Sequence, residues 1–181
     1  YIPPSLVKEV AGFLPAMTDW PFPVTREEHA HPVWLFREAN QDLGFVRKHR
    51  GDLVPTVAGR KAVRDPLALW GQLVRRLPDP PKRGREMIRD FNRDAVLVAL
   101  FYVATGGDMP SGEIARVLET ARWTSRGSKL EYALGEPLAT QRAVFDAIAP
   151  LGHAWAGMST RFGPAARLLA LAALESAAER G

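Results

Sequence analysis

The sequence predicts a mainly α-helical chain with short β-hairpins, organised as two related units over residues 1–80 and 81–181. Three observations predict it. Apolar residues recur at three- and four-residue spacing through most of the chain. The period changes to a β-favouring one only near residues 45–54. One order of elements (helix, Leu-Gly, hairpin, Thr-x-x-Gly, helix) is also written twice. With 181 residues, 46% of them hydrophobic and 24% charged, the chain needs no staple to bury a core. It has no cysteine, which excludes disulfides, thiolate nucleophiles and Cys-ligated zinc. No apolar run approaches the ~18–20 residues that cross a bilayer. The opening YIPPSLVKEV lacks a basic segment followed by an apolar one. These features point to a cytoplasmic protein without a membrane partner. A chain that opens on Tyr1 is expected to belong to a longer one.

The elements follow in order. Leu6, Val7, Val10, Phe13 and Leu14 predict a short first helix, which Pro15, Pro21 and Pro23 prevent from continuing. Asp19 to Pro23 reads as an extended connector anchored in the core by Trp20 and Phe22. Thr25 is an expected N-cap with Glu27 and Glu28 in the first turn, and the long helix is expected to start at Pro32. Val33, Leu35, Phe36, Ala39 and Leu43 supply its apolar face, and Gly44 should end it. Phe45-Val46 and Leu53-Val54 flank RKHRGD, a hairpin with a basic tip that turns at Gly51. Thr56 should cap the next helix, and Asp65-Pro66 should cap and open another that runs to Pro78. PDPPKRG is a polar linker. Residues 86–105 form the strongest helix, closed by Gly106 and Gly107. Ser111 should cap a further helix with Ile114, Ala115, Val117 and Leu118 inward. Residues 123–136 read as irregular or as a small strand pair, and helices over 137–149 and 164–178 complete the chain.

The repeated order has a physical logic. Gly44 ends a helix in a left-handed conformation that glycine enters cheaply. The hairpin covers the helix end, the Thr56 hydroxyl caps the following helix, and Gly59 permits close approach. The second copy reads Leu151, Gly152, a shorter connector, Thr160 and Gly163. The cadence Leu43, Gly44, Leu53, Thr56, Gly59, Arg60 resembles the winged helix-turn-helix of bacterial regulators. Upstream of the second copy, ALFYVATGGDMPSGEIARVLE resembles a helix-turn-helix. The stretches YIPPSLV, LGFVRKHRGDLVPTVAGRKAVRDPLALW and ATGGDMPSGEIARVLE are together similar to a plasmid-borne, open-reading-frame-three-like insertion-element passenger family of actinobacteria. That resemblance implies a mobile-element or regulatory context.

Charge is unevenly spread. The formal net charge is +4, but residues 47–93 carry thirteen Lys or Arg against five Asp or Glu. One basic cluster holds Arg47, Lys48, Arg50, Arg60, Lys61 and Arg64. The other holds Arg75, Arg76, Lys82, Arg83, Arg85, Arg89 and Arg93. Local density governs attraction to a polyanion, because screening limits exposed charges to about 8–10 Å.

No enzymatic motif is present. AGMSTRFG lacks the nucleophile-elbow pattern, and TGGDMPSG lacks the Lys-Ser/Thr of a phosphate loop. His29 and His31 lie two apart and do not share a helix face, so EEHAH is not expected to hold a metal. Asp90 and Asp94 sit between Arg89 and Arg93, an arrangement expected to be a surface ion-pair array. No catalytic residue, cofactor or metal is therefore expected. Two functions remain. The first is duplex-DNA binding by the winged-helix resemblance. Arg37, Asn40 and Gln41 would read bases from the helix, while Arg47, Lys48, Arg50, Arg60 and Lys61 would hold the backbone. With so few base readers, binding would be backbone-dominated and weakly specific. The second is a scaffold module. Residues 94–181 carry eight basic and nine acidic residues, and HAWAGM offers Trp155 and Met158 to a protein partner or a second copy.

Overall fold

The computed structural model describes residues 2–18, 20–81, 89–106, 108–124, 129–148 and 162–180. Helix accounts for 69% of them, and the strands form one two-stranded antiparallel sheet. The helices are α1 (Pro4–Phe13), α2 (His31–Asp42), α3 (Val57–Arg64), α4 (Pro66–Arg76), α5 (Arg89–Gly106), α6 (Ser111–Thr120), α7 (Ala139–Ile148) and α8 (Pro164–Ala178). The strands β1 (Val46–His49) and β2 (Asp52–Pro55) lie between α2 and α3. Short 3-10 turns occupy Pro15–Met17, Glu27–His29 and Leu130–Leu134.

The larger core gathers Leu43, Phe45, Leu73 and Leu77 with apolar residues of α5, α6, α7 and α8. α5 packs along α8, α4 also lies on α8, and α2 lies on α7. Packing therefore runs across the boundary between residues 80 and 81. A smaller cluster holds Ile2, Val7, Leu14, Met17, Ala30 and Val33, with Leu53 of the hairpin and Ala147 of α7 packed against it. Two buried glutamines fasten helix ends to this arrangement. Gln72 Nε2 of α4 donates to the Leu43 carbonyl at the end of α2 at 2.6 Å, and Gln141 Nε2 of α7 donates to the Leu77 carbonyl at the end of α4 at 2.7 Å. Each occupies a carbonyl that a helix terminus leaves without an intrahelical donor.

Several expectations are revised by packing. Thr25 caps nothing: a 3-10 turn intervenes, and α2 starts at His31 after Ala30 with no side-chain cap. The reason is Glu27, whose side chain is drawn inward to Arg37 instead of lying at a helix N-terminus. Trp20 is half-buried and donates its indole N–H to the His29 carbonyl at 3.0 Å, but Phe22 is 58% exposed and meets Trp20 edge-on. Ser111 stands inside α6, with Pro110 at its N-cap and no side-chain cap bond. Val117, on the outer side of that helix, is exposed. Asp94 accepts from the Trp123 indole N–H at 2.9 Å, where an arginine partner was expected. The second connector, with His153, Trp155, Met158 and the Thr160 cap, lies outside the described residues, as do Lys82, Arg83 and Arg85. Among the described residues no helix is long and apolar enough to cross a membrane.

Candidate nucleic-acid interface

The hairpin is set by its turn and anchored at its base. Val46 pairs with Pro55, Arg47 with Val54, Lys48 with Leu53 and His49 with Asp52. Arg50 and Gly51 link the strands with φ of 52° and 96°. Both central residues are thus left-handed, as the common two-residue hairpin turn requires. At the base, Gly44 has φ 79° and lets the chain leave α2 sharply. The Thr56 hydroxyl donates towards the Gly44 carbonyl at 2.6 Å and accepts from the Gly59 N–H at 3.0 Å. One side chain thereby closes the hairpin and caps α3. Gly59 sits so tightly that an added Cβ would lie 2.1 Å from the Phe45 carbonyl oxygen.

This scaffold presents cations. Arg47, Lys48, His49 and Arg50 are all exposed. Period-two alternation sends Arg47 and His49 to one face and Lys48 to the other. On α3, Gly59 and Ala62 face inward. Arg60, Lys61 and Arg64 share the opposite, exposed side, within about 100° by helical spacing. Arg60 Nη1 donates to the Pro55 carbonyl at 2.9 Å, which holds its guanidinium beside the hairpin. Among the described residues, none of Arg47, Lys48, Arg50, Arg60, Lys61 and Arg64 has a carboxylate partner.

The three expected base readers are placed differently. Arg37 is largely buried and pairs with Glu27 and Glu38. Asn40 Nδ2 donates to the Phe36 carbonyl at 2.7 Å, and Gln41 Nε2 reaches Glu38 at 3.4 Å. All three are engaged within or beside α2, and this helix packs on α7. The structure thus places the five backbone-contact candidates on the exposed sides of the hairpin and α3, with Lys48 on the opposite hairpin face from Arg47, while the three expected base readers are engaged on the adjoining α2. Periodicity cannot reveal this, because the partners of Arg37 include a residue ten positions away.

His29 lies near Thr25, and His31 stacks on Trp34 with ring centroids 5.3 Å apart. Among the described residues no group of three or more His, Asp or Glu side chains is placed to hold a metal. Asp146 on α7 has its pKa raised from 3.8 to about 6 by burial, partly opposed by the charge of Arg142. A raised folded-state pKa favours folding while the group is protonated, and the advantage is lost as pH rises through about 6. Asp146→Asn is therefore expected to stabilise the protein by about 1–3 kcal/mol at pH 7.5 and to make no difference below pH 4. Thermal melts across that range check the sign. No protein-family model, curated protein or solved structure matches this chain.

Proposed function

We propose that this protein binds duplex DNA through the phosphate backbone, with weak sequence preference, using the hairpin and α3 in the manner of a winged helix. The observation that carries the reading is the hairpin tip. Arg50 occupies a left-handed position that favours Asn or Gly. A charged side chain there costs about 1 kcal/mol of conformational energy, and it stands among exposed cations without carboxylate partners. Such an array suits phosphates, and it supplies binding energy without reading bases. The internal bonds of Arg37, Asn40 and Gln41 favour low specificity. A regulatory or mobile-element role is the context that this activity would serve.

The test is salt dependence. Five phosphate contacts from Arg47, Lys48, Arg50, Arg60 and Lys61 give a slope of about −4 to −5 in log affinity against log salt. The triple substitution Arg47→Ala, Lys48→Ala, Arg50→Ala should weaken binding to all duplexes and flatten the slope by about 2–3. Arg116→Ala, at an exposed position of α6, should leave both unchanged. Duplex titrations between ~50 and ~200 mM salt decide it, and a triple variant that binds like the parent rejects the reading.

A second reading, a protein-interaction module, draws on the second unit. Phe101 of α5 and Leu168 and Leu171 of α8 are exposed at 56%, 61% and 48% on two helices that pack together. An apolar face of this kind suits a protein partner or a second copy.

A further inference from the structure

The last helix, α8, has no polar side. Apart from Arg167, Glu175 and Ser176, its fifteen residues are Ala, Leu and Pro. Ala166, Leu169, Ala170 and Ala173 are buried, with α5 and α4 packed against the helix. The side turned away from that core is apolar as well, since Pro164, Leu168 and Leu171 are exposed. A surface helix ordinarily carries its charge there, as α3 does with Arg60, Lys61 and Arg64 opposite Gly59 and Ala62. A helix that is apolar all round belongs to an interior, so the outer side of α8 calls for a cover.

The outer stripe is its own complement. Pro164, Leu168, Leu171 and Glu175 follow one another at four, three and four positions. At 3.6 residues per turn they lie within about 60° of arc. Spacing of four, three and four reads the same in both directions. A two-fold axis midway between Leu168 and Leu171 therefore sets each Leu168 against the partner's Leu171, and each Glu175 against the partner's Pro164.

Charge selects the same register. Glu175 and Arg167 are exposed, and neither has an ion-pair partner among the described residues. The N-cap of α8 is Gly163, which supplies no side-chain cap. Antiparallel pairing brings the Glu175 carboxylate to this positive end of the partner's helix, within one turn of the partner's Arg167. Arg167 is held for that contact, because its guanidinium donates to the Ala104 and Thr105 carbonyls at the end of α5 at 3.3 and 3.1 Å. Parallel pairing would instead stand two Glu175 carboxylates side by side.

We propose that two copies of this chain associate through α8, antiparallel about a two-fold axis between Leu168 and Leu171. The proposal rests on the protein-interaction reading and commits it to one occupant. It uses none of the residues proposed to hold DNA. The stripe is short, so the dimer is weak, with Kd of about 10–100 μM.

Sedimentation velocity of the full chain from ~5 to ~500 μM should show a monomer–dimer equilibrium. The pair Leu168→Gln, Leu171→Gln changes two exposed side chains and should weaken the dimer at least tenfold. Glu175→Lys should weaken it about fivefold at low salt and less at high salt. Val117→Gln, an exposed apolar position of α6, should have no effect. Circular dichroism confirms that each variant is folded. The chain has no cysteine, so orientation can be read by cross-linking. A mixture of Leu168→Cys and Leu171→Cys should form a mixed disulfide dimer faster than either variant forms its own. A parent that stays monomeric to ~500 μM overturns the proposal and leaves the interaction reading to a different protein. A dimer that the leucine pair does not weaken places self-association on another face and overturns it too. Self-cross-linking of either cysteine variant as fast as the mixture overturns the antiparallel pairing.

Discussion

Replacing Arg37 by methionine is expected to lower the stability of this protein by about 3–5 kcal/mol. Arg37 joins Glu27, a buried residue of the 3-10 turn, to Glu38, its neighbour on α2. Without the guanidinium, two carboxylates remain close together in a poorly solvated place, and Glu27 loses the ion pair that compensates its charge. The methionine stem keeps much of the packing, so the loss reports on charge and not on volume. Restoring neutrality should then recover part of it. Arg37→Met combined with Glu27→Gln should be more stable than Arg37→Met alone, a coupling that a double-mutant cycle by urea denaturation measures. The result separates structural from binding arginines, because Arg47→Ala on the exposed hairpin should leave stability nearly unchanged. If Arg37→Met unfolded no more easily than the parent, Arg37 would be available to a ligand and the weak-specificity argument would lose its basis.

Gly59→Ala is the second large effect, with an expected loss of about 3 kcal/mol. In an open helix this change stabilises by up to about 1 kcal/mol, because alanine is the better helix former. Here the new methyl would stand 2.1 Å from the Phe45 carbonyl oxygen and 3.0 Å from its carbon. Both obstacles are backbone, so no rotamer change relieves them, and α3 must move off the hairpin base. Gly71→Ala on α4 is the matched control, since nothing lies within 4 Å of its added Cβ. It should raise the melting temperature where Gly59→Ala lowers it. Because Thr56 both caps α3 and closes the hairpin, Gly59→Ala should also weaken duplex binding if the proposed interface holds. Similar melting shifts in the two glycine variants would contradict the close approach.

Much of the local architecture was decided by residues a few positions apart. Gly44, Gly51, Thr56 and Asp65 each impose a conformation or a bond that spans one turn, and the hairpin and the starts of α3 and α4 follow from them. α8 runs from Pro164 to Ala178 as its proline and apolar spacing require. The exposed basic character of the hairpin was equally legible, since four consecutive polar residues at a turn have no core to enter. What tertiary structure alone decided was the fate of polar residues on amphipathic helices. Arg37 looks like a reader in sequence because its partner Glu27 is chosen by how α2 folds back on the preceding turn, whereas Asn40 and Gln41 bond to Phe36 and Glu38 of their own helix. Asp94 finds Trp123 for the same reason, across twenty-nine residues. The cleft between α2, the Leu130–Leu134 turn and the start of α7 belongs to this second class. Trp34 and Tyr132 are nearly a hundred positions apart, and only the packing of α2 on α7 brings them to one cavity. Periodicity reports which face of an element is buried, but the identity of the element opposite is fixed by the global packing of apolar surface, and no local spacing encodes it.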